Sequence, residues 1–376
     1  MKMNKFTAIL SICAVLSCKK DEVVTPSEIN GIQTKISKGT SDSFIGIGWD
    51  TIKGEKQYSI WRKENTSAEY LKIAQVYGDT FQDNSVKSIN WYQYKVIPVG
   101  NSNQKRISIP DSGYKLLAYE KIDKFSDILS DPFGITIKKN KYLYIADKGN
   151  GKIVVYDFTG NKLKEFGKGT LTFPRGLDFD KNGFLYVADS NNKIYKFDSL
   201  DNLVTSWGNL NNGQGDGEFN GAMRDIAIDQ NNNNLIIVDH NNDRIQVFDF
   251  TGNFIRKWGS KGEGDDQFNY PWGSEVMANG DIIVSQLYKT IFFSNTGIYK
   301  SNIKEGANFI YQNMETGNFY TTNIGVIRVY DKTYRKIAQF SFSGWDYLMG
   351  IAADNEGNIY VNDYSNDLYK FSIKQN

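Results

Sequence analysis

The chain of 376 residues has one histidine, two cysteines and six prolines, and its formal net charge is +1. A single histidine, His240, cannot supply a zinc site built from several histidines. The balance of 44 basic and 43 acidic residues gives no overall field that would favour nucleic acid or an anionic membrane. Because Cys13 lies in an N-terminal segment expected to be removed, Cys18 is the only cysteine left, and a disulfide within the mature chain is excluded.

Glycine and aromatic residues are plentiful instead: the chain has 34 glycines and is 14% aromatic. Many of the glycines follow Asn or Thr, as they do in the tight turns of β-hairpins. Residues 193–197 and 244–248 alternate between polar and apolar side chains, which is the period of a β-strand. No segment after residue 131 has the spacing of a convincing amphipathic helix. These features predict an all-β protein.

A related pattern occurs six times from residue 131 onward: a turn, a short apolar run, a second turn and an aliphatic-aromatic run that ends on an acid or a substitute. The closing positions are Asp147, Asp189, Asp239, Gln286, Asn323 and Asp363. They lie roughly 40 residues apart, which is the length of a propeller blade of four short strands. We expect the acids to be structural, accepting hydrogen bonds from turn amides. Basic residues that follow the turns, such as Arg244, are expected to snorkel or form exposed pairs of little energy.

Two long linkers, residues 207–220 and 258–273, each start with Trp-Gly and run through glycines and acids to Phe-Asn. Together with residues 238–249 they resemble the NHL-repeat family, and the resemblance extends from Tyr119 onward. It implies six blades of four antiparallel strands. The last blade is one strand short, so we predict that residues 117–122 pair with residues 367–373 and close the ring, which removes exposed sheet edges.

The region before the repeats, residues 29–115, alternates short strands with turns and predicts a small β-sandwich. Trp49, Tyr58 and Tyr92 resemble the core tryptophan, the facing strand residue and the tyrosine corner of fibronectin type III domains. Such domains are most often spacers or binding modules. The predicted organisation is a signal peptide at 1–18, a tether at 19–28, a fibronectin type III-like β-sandwich at 29–115 and a six-bladed NHL-type β-propeller at 116–376.

The N-terminus has a basic start, an apolar core from Phe6 to Leu16 that is too short to span a bilayer, and then Ser17-Cys18. Residues 15–18 resemble a bacterial lipobox, in which Cys18 becomes the lipidated first residue. The alternative is an ordinary signal peptide with an incidental cysteine. Residues 18–22 resemble the charged tether of Bacteroidota-type lipoproteins that reach the cell surface. We therefore expect a protein of the bacterial cell envelope, held in the outer membrane by its lipid alone and exposed at the surface.

A ligand site is expected where the repeats differ. Alignment on the glycine that opens each inner strand predicts that one residue per blade rings a mouth of the central channel, beside the long linkers: Phe133, Arg175, Arg224, Trp272, Phe309 and Met349. Two cations and three aromatic rings suit a carboxylate-bearing peptide or a sugar. The alternative is that these residues plug the channel. We predict a non-catalytic binding or scaffold protein that recognises a protein, peptide or glycan, without nucleic acid or a cofactor.

The competing function is a metal-dependent hydrolase. Some six-bladed propellers resemble calcium-dependent lactonases, which hold the ion with carboxylate and amide side chains in the channel. Candidate ligands on the inner strands are Asp178, Asp225, Glu275 and Gln312. Zinc-dependent lyases of similar fold use several histidines, whereas His240 stands alone and is expected at the surface. No Gly-x-Ser-x-Gly elbow is present to support Ser-His-Asp chemistry.

Overall fold

The computed structural model describes residues 34–38, 41–64, 67–100, 111–125, 129–341 and 347–374. The predicted signal peptide and tether lie outside these residues. The chain divides into two compact units, the first built mainly from residues 44–86 and 90–114 and the second mainly from residue 115 onward. Across the described ranges, none of the helical elements has the length and apolar character needed to cross a membrane.

The first unit is a sandwich of two antiparallel sheets, which have the strand orders β1-β2-β5 and β4-β3-β6-β7. Its strands are β1 (Thr34–Ile36), β2 (Ile45–Trp49), β3 (Gln57–Glu64), β4 (Leu71–Tyr77), β5 (Thr80–Asp83), β6 (Tyr92–Pro98) and β7 (Asp111–Gly113). Alternate residues of β2 and β6 are buried, and they share one core with β3. In that core the rings of Trp49 and Tyr58 lie 5.5 Å apart. The predicted β-sandwich is confirmed.

The second unit consists of four-stranded antiparallel sheets, of which the described residues form six. In chain order their strands are β8 (Tyr119–Phe125), β9 (Pro132–Lys138), β10 (Tyr142–Asp147), β11 (Lys152–Asp157), β12 (Lys162–Phe166), β13 (Pro174–Phe179), β14 (Leu185–Asp189), β15 (Lys193–Phe197), β16 (Leu203–Trp207), β17 (Met223–Asp229), β18 (Asn234–Asp239), β19 (Arg244–Asp249), β20 (Phe254–Trp258), β21 (Ser274–Val276), β22 (Ile282–Ser285), β23 (Thr290–Phe293), β24 (Tyr299–Ile303), β25 (Phe309–Gln312), β26 (Phe319–Asn323), β27 (Val326–Tyr330), β28 (Lys336–Ser341), β29 (Leu348–Ala353), β30 (Ile359–Asp363) and β31 (Leu368–Ile373). The helical elements in this part of the structure are two short 3-10 turns, Lys148–Asn150 and His240–Asn242.

The first strand of each sheet contacts the first strand of the next around a closed circle, from β9 through β13, β17, β21, β25 and β29 back to β9. Each sheet adds its remaining strands outward in chain order, apart from the last sheet, in which β8 forms the outer strand. This arrangement is a β-propeller, as the spacing of the repeats predicts.

The outer strand of the last sheet comes from the start of the unit, and this closes the circle. In the register of β8 against β31, Tyr119 lies opposite Ile373 and Phe125 opposite Leu368. The predicted pairing is confirmed, although the strand covers 119–125 rather than 117–122. It begins later because the backbone N–H of Leu117 donates instead to the carbonyl of Ile337, at 2.6 Å.

The repeated acids hold the turns and linkers of the propeller, as expected. Asp189 is fully buried, and its carboxylate accepts backbone N–H bonds from Thr172, Phe173 and Asn191 at 2.8–3.0 Å. The substitute Gln286 does the same for the second long linker, because its amide oxygen accepts from the N–H of Asn269 at 2.8 Å. The residues at the closing positions therefore have a structural role, and Gln286 shows that a substitute can fill it.

Arg244 contradicts its sequence-based expectation. It is 6% exposed, and its Nε donates to Asp239 at 2.7 Å. Its other guanidinium nitrogens donate to three carbonyls of the first long linker: Gln214, Gly215 and Glu218. The prediction of an exposed, weak pair is wrong because the linker folds over this arginine and removes it from water.

Candidate functional site

A cavity of about 30 Å³ lies among the first strands of all six sheets, and its lining includes Thr136, Asp178, Asp225, Glu275, Tyr311 and Ile351. This volume has room for a water molecule and none for an organic substrate. The inner strands bring three of the four predicted metal-binding side chains, Asp178, Asp225 and Glu275, to this one space. Gln312 does not line it: its amide oxygen accepts from the N–H of Ala278 at 2.7 Å, and its Nε2 donates to the carbonyl of Gly317 at 3.1 Å.

Each of the three carboxylates links two neighbouring sheets through backbone N–H groups. One donor is the next residue on the same strand, and the other lies on the first strand of the next sheet. For Asp178 these donors are Phe179 and Ile228, for Asp225 they are Ile226 and Ser274, and for Glu275 they are Val276 and Gln312, at distances of 2.8–3.1 Å. Both oxygens of each carboxylate are therefore engaged by the fold.

Burial raises the pKa of each channel carboxyl. It brings the pKa of Asp178 to about 7 and that of Asp225 to about 8, with the charge of Asp178 adding to the effect at Asp225. The pKa of Glu275 lies well above its usual value for the same reason, reinforced by both aspartates. The N–H bonds act in the opposite direction in all three cases. At neutral pH the cavity therefore carries less negative charge than three ionised carboxylates would give.

The geometry does not assemble the predicted metal ligands around a common point. Within the parts of the chain that the structure describes, no group of three or more His, Cys, Asp or Glu side chains is placed to hold a metal ion. The carboxylate oxygens turn toward backbone N–H groups of adjoining strands instead. The arrangement is that of a structural network at the centre of the propeller.

The residues predicted to ring the channel mouth do meet, but at two levels. Phe133, Phe309 and Met349 are buried in the core, and the rings of Phe133 and Phe309 pack edge to face at 5.1 Å. Arg175, Arg224 and Trp272 stay partly exposed. The three buried residues support the site and the other three can contact a ligand.

Both guanidinium groups lie over the ring of Phe133, with that of Arg175 at 4.6 Å and that of Arg224 at 5.6 Å from its centroid. Arg224 is also 4.0 Å from the centroid of Trp272. Neither arginine forms a salt bridge with any described residue, and Arg224 Nε is buried with no hydrogen-bond partner among them. Desolvation, and next the positive charge of Arg175, lower the pKa of Arg224 to about 9. The mouth thus concentrates positive charge that the fold leaves uncompensated.

His240 is part of this mouth, so its expected place at the surface is wrong. It is 7% exposed, and its Nδ1 lies 2.8 Å from the carbonyl oxygen of Pro271. A carbonyl can only accept, so Nδ1 carries the proton and Nε2 is free to accept from Arg224 Nη2 at 3.4 Å. Burial, and next the charge of Arg224, lower the pKa of His240 to about 4. The histidine is neutral at pH 7 and positions Arg224.

We call the end of the propeller where each first strand begins the linker face, because both long linkers arrive there. Turns between the second and third strands lie at the same end. Among the described residues, five exposed aromatic side chains lie on this face: Phe173, Tyr270, Tyr288, Tyr347 and Tyr364. Tyr288 is 80% exposed and Tyr364 is 65% exposed. Sequence reasoning missed them because they lie outside the aligned strands. The available signal was an aromatic residue followed by proline near the start of a first strand, as in Phe173-Pro174 at β13 and Tyr270-Pro271 shortly before β21.

No protein-family model matches the sequence, and a search of curated proteins also finds no match. Among solved structures, streptogramin B lyase is similar with a TM-score of 0.50 and 15% identity, covering 69% of this chain and 98% of that one. A catalytically inactive variant of virginiamycin B lyase from Staphylococcus aureus with quinupristin gives a TM-score of 0.48 and 12% identity, covering 91% and 100%. The selenomethionine form of that lyase gives 0.47 and 13%, covering 77% and 94%. At 15% identity the likeness to streptogramin B lyase is one of fold, and the class it supports is the β-propeller.

Proposed function

We propose that this protein is a lipid-anchored, extracytoplasmic binding protein whose propeller recognises a protein, peptide or glycan through its linker face. The observation that carries the proposal is the combination, on one face, of five exposed aromatic rings and two arginines that have no acidic partner among the described residues. Aromatic residues and arginine are enriched in recognition surfaces because they offer a large contact area together with a polar end. A face of this composition suits binding.

A calcium-dependent hydrolase or lactonase is less well supported. The channel carboxylates accept bonds from the backbone of adjoining sheets. The cavity between them holds about 30 Å³, which leaves no room for a substrate. His240 is held between the carbonyl of Pro271 and the guanidinium of Arg224, away from any hydroxyl nucleophile in the described contacts. None of the described channel residues is therefore positioned to activate water against a bound substrate.

The proposal includes lipidation of Cys18, a place in the outer membrane, NHL-type blades and a fibronectin type III-like spacer. Mass spectrometry of the protein isolated from the native envelope tests the anchor. We expect an N-terminal peptide that starts at a diacylglyceryl-modified Cys18. Peptides from upstream of Cys18, or an unmodified Cys18, would contradict it.

Affinity capture from the native envelope tests the linker face. The Tyr288→Ser/Tyr364→Ser variant removes two of its most exposed rings and is expected to capture the partner at least about tenfold less, because aromatic side chains dominate contact energies. The matched control is Leu200→Ser/Ile298→Ser, which alters residues 77% and 68% exposed in turns at the opposite end of the blades. Equal capture by the Tyr variant and the unaltered protein would refute the linker face as the binding surface.

A further inference from the structure

The two mouth arginines differ from three other arginines of the same unit. Arg244, Arg328 and Arg335 each form an ion pair with a carboxylate, those of Asp239, Glu305 and Asp331. Neither Arg175 nor Arg224 has such a pair in the described residues, although aromatic rings shield part of both guanidinium groups from water. A shielded cation without a counter-charge costs folding free energy, so its presence calls for an explanation outside the fold itself.

Local contacts do not remove this excess charge. Asp131 acts electrostatically on both guanidiniums and Asp189 on Arg175, but Oδ2 of Asp131 pairs with Lys148 and the carboxylate of Asp189 accepts three backbone N–H bonds. Arg175 Nε donates to the hydroxyl of Ser190, and Arg224 has neutral His240. These contacts orient the two guanidinium groups over the ring of Phe133 without neutralising them. Arg175 and Arg224 therefore present two guanidinium groups, each with several N–H donors, beside the ring of Phe133.

The geometry points to a receptor for one carboxylate, formed by Arg175 and Arg224 and occupied by an Asp or Glu side chain of a protein partner. This inference rests on the proposed function and names the chemistry of the partner. A carboxylate offers two oxygens that accept from guanidinium donors in charge-assisted hydrogen bonds. The rings against the arginines are those of Phe133 and Trp272, and four of the five exposed rings described on the linker face are tyrosines. Trp, Tyr and Arg are the residue types enriched in protein-binding hot spots.

Binding of small probes by the intact chain in neutral detergent micelles tests the receptor. The probes are acetyl-Ala-Glu-Ala-amide, its isosteric Gln counterpart and methyl glucuronide, each titrated by calorimetry at low salt. We expect the Glu peptide to bind about tenfold or more tightly than the Gln peptide, since the two differ only in charge. Equal affinity of the two peptides would overturn the receptor. Tighter binding of the glucuronide than of the Glu peptide would overturn the assignment to a protein partner in favour of an acidic glycan.

Variants separate a receptor from a packing role. Arg175→Gln and Arg224→Gln should each abolish the preference for Glu over Gln. The matched control Arg256→Gln should retain it, because Arg256 also lies over a tryptophan, 5.9 Å from the ring centroid of Trp258, but on an outer strand. Without ligand, Arg224→Gln should unfold at the same temperature as the unaltered protein or a higher one, since it removes a shielded like charge. A lower unfolding temperature together with an unchanged Glu preference would show that the arginines only plug the channel.

The two proposals can fail separately. Loss of capture in the Tyr288→Ser/Tyr364→Ser variant, combined with equal affinity for the Glu and Gln peptides, would leave the linker face as the binding surface and refute the carboxylate receptor. A Glu preference that needs Arg175 and Arg224, combined with unaltered capture, would support the receptor and refute the wider linker face.

Discussion

Two arginines of the third sheet have different surroundings: one is fully paired within the fold and the other is not. Arg244 on β19 is enclosed by Asp239 and three carbonyls of the first long linker. Arg224 on β17 has one described hydrogen bond, to His240, and an Nε with no partner among the described residues. The charge of Arg244 stabilises the first long linker. The charge of Arg224 remains available at the linker face, and we therefore assign the function to that face.

The carboxylates of the channel interior resemble Arg244, and not Arg224, because their hydrogen bonds are completed within the fold. Asp178, Asp225 and Glu275 are buried acids at the centre of the propeller, where a catalytic or metal site is easily imagined. Their oxygens accept N–H bonds that join neighbouring sheets. A buried polar group whose bonds are completed within the fold is evidence for architecture. Arg224 differs because its Nε has no partner among the described residues and its charge adds to that of Arg175 at the channel mouth.

Removing the partner of the enclosed arginine should have the largest effect. Asp239→Ala leaves Arg244 buried without a counter-charge, and we expect the free energy of unfolding to fall by about 3–5 kcal/mol. Urea denaturation measures it. The control is Asp216→Ala, because Asp216 pairs with Lys257 at 2.7 Å on the surface and its loss should cost about 0.5 kcal/mol or less. Similar losses for both variants would remove the distinction between enclosed and exposed pairs.

The channel acids predict that the stability of the protein depends on pH. The folded pKa values of about 7 and 8 for Asp178 and Asp225 exceed the usual value of 3.8, so the folded state holds these protons more tightly than the unfolded state. The resulting stability is complete below about pH 4 and is lost progressively as the pH rises through 7 to 8.

Chemical denaturation between pH 5 and 9 measures this fall, and Asp225→Asn serves as the variant that cannot ionise. We expect Asp225→Asn to be less stable overall, because its amide NH₂ faces a backbone N–H, but to show a flatter profile. A profile as steep as that of the unaltered protein would contradict the assignment of the pH dependence to Asp225.

The smallest effect on stability is expected at the linker face. Tyr288→Ser/Tyr364→Ser should change the free energy of unfolding by less than about 1 kcal/mol, since both rings are exposed and each surface substitution costs about 0.5 kcal/mol or less. Thermal unfolding checks this. A large loss would mean that these rings support the propeller, and the loss of capture by the same variant would then have a structural cause.

The sequence predicted the propeller well because alternation and turn chemistry are local. The alternating segments at 193–197 and 244–248 are found as the strands β15 (Lys193–Phe197) and β19 (Arg244–Asp249). The pairing of the last strand with the start of the unit was also predictable, since an unpaired edge had to be covered.

The site was predictable only in part. Alignment of the repeats assigned Arg175 and Arg224 to equivalent positions, but it could not show that Phe133 would be buried beneath their guanidinium groups. The surroundings of His240 and Arg244 are set by linkers that fold back over the third sheet, and such packing between distant segments leaves no periodic signal in the sequence. The same holds for Tyr288 and Tyr364, whose shared face follows from the topology of the sheets.

The most direct test of the central claim is a titration of the intact chain with acetyl-Ala-Glu-Ala-amide, followed through the Nε–H resonances of its arginines by NMR. The account predicts that the resonances of Arg175 and Arg224 shift together and saturate, while those of Arg244 and Arg256 stay unchanged. If the two mouth resonances do not move, or if Arg256 shifts to the same extent, the mouth of the propeller is not the receptor proposed for it.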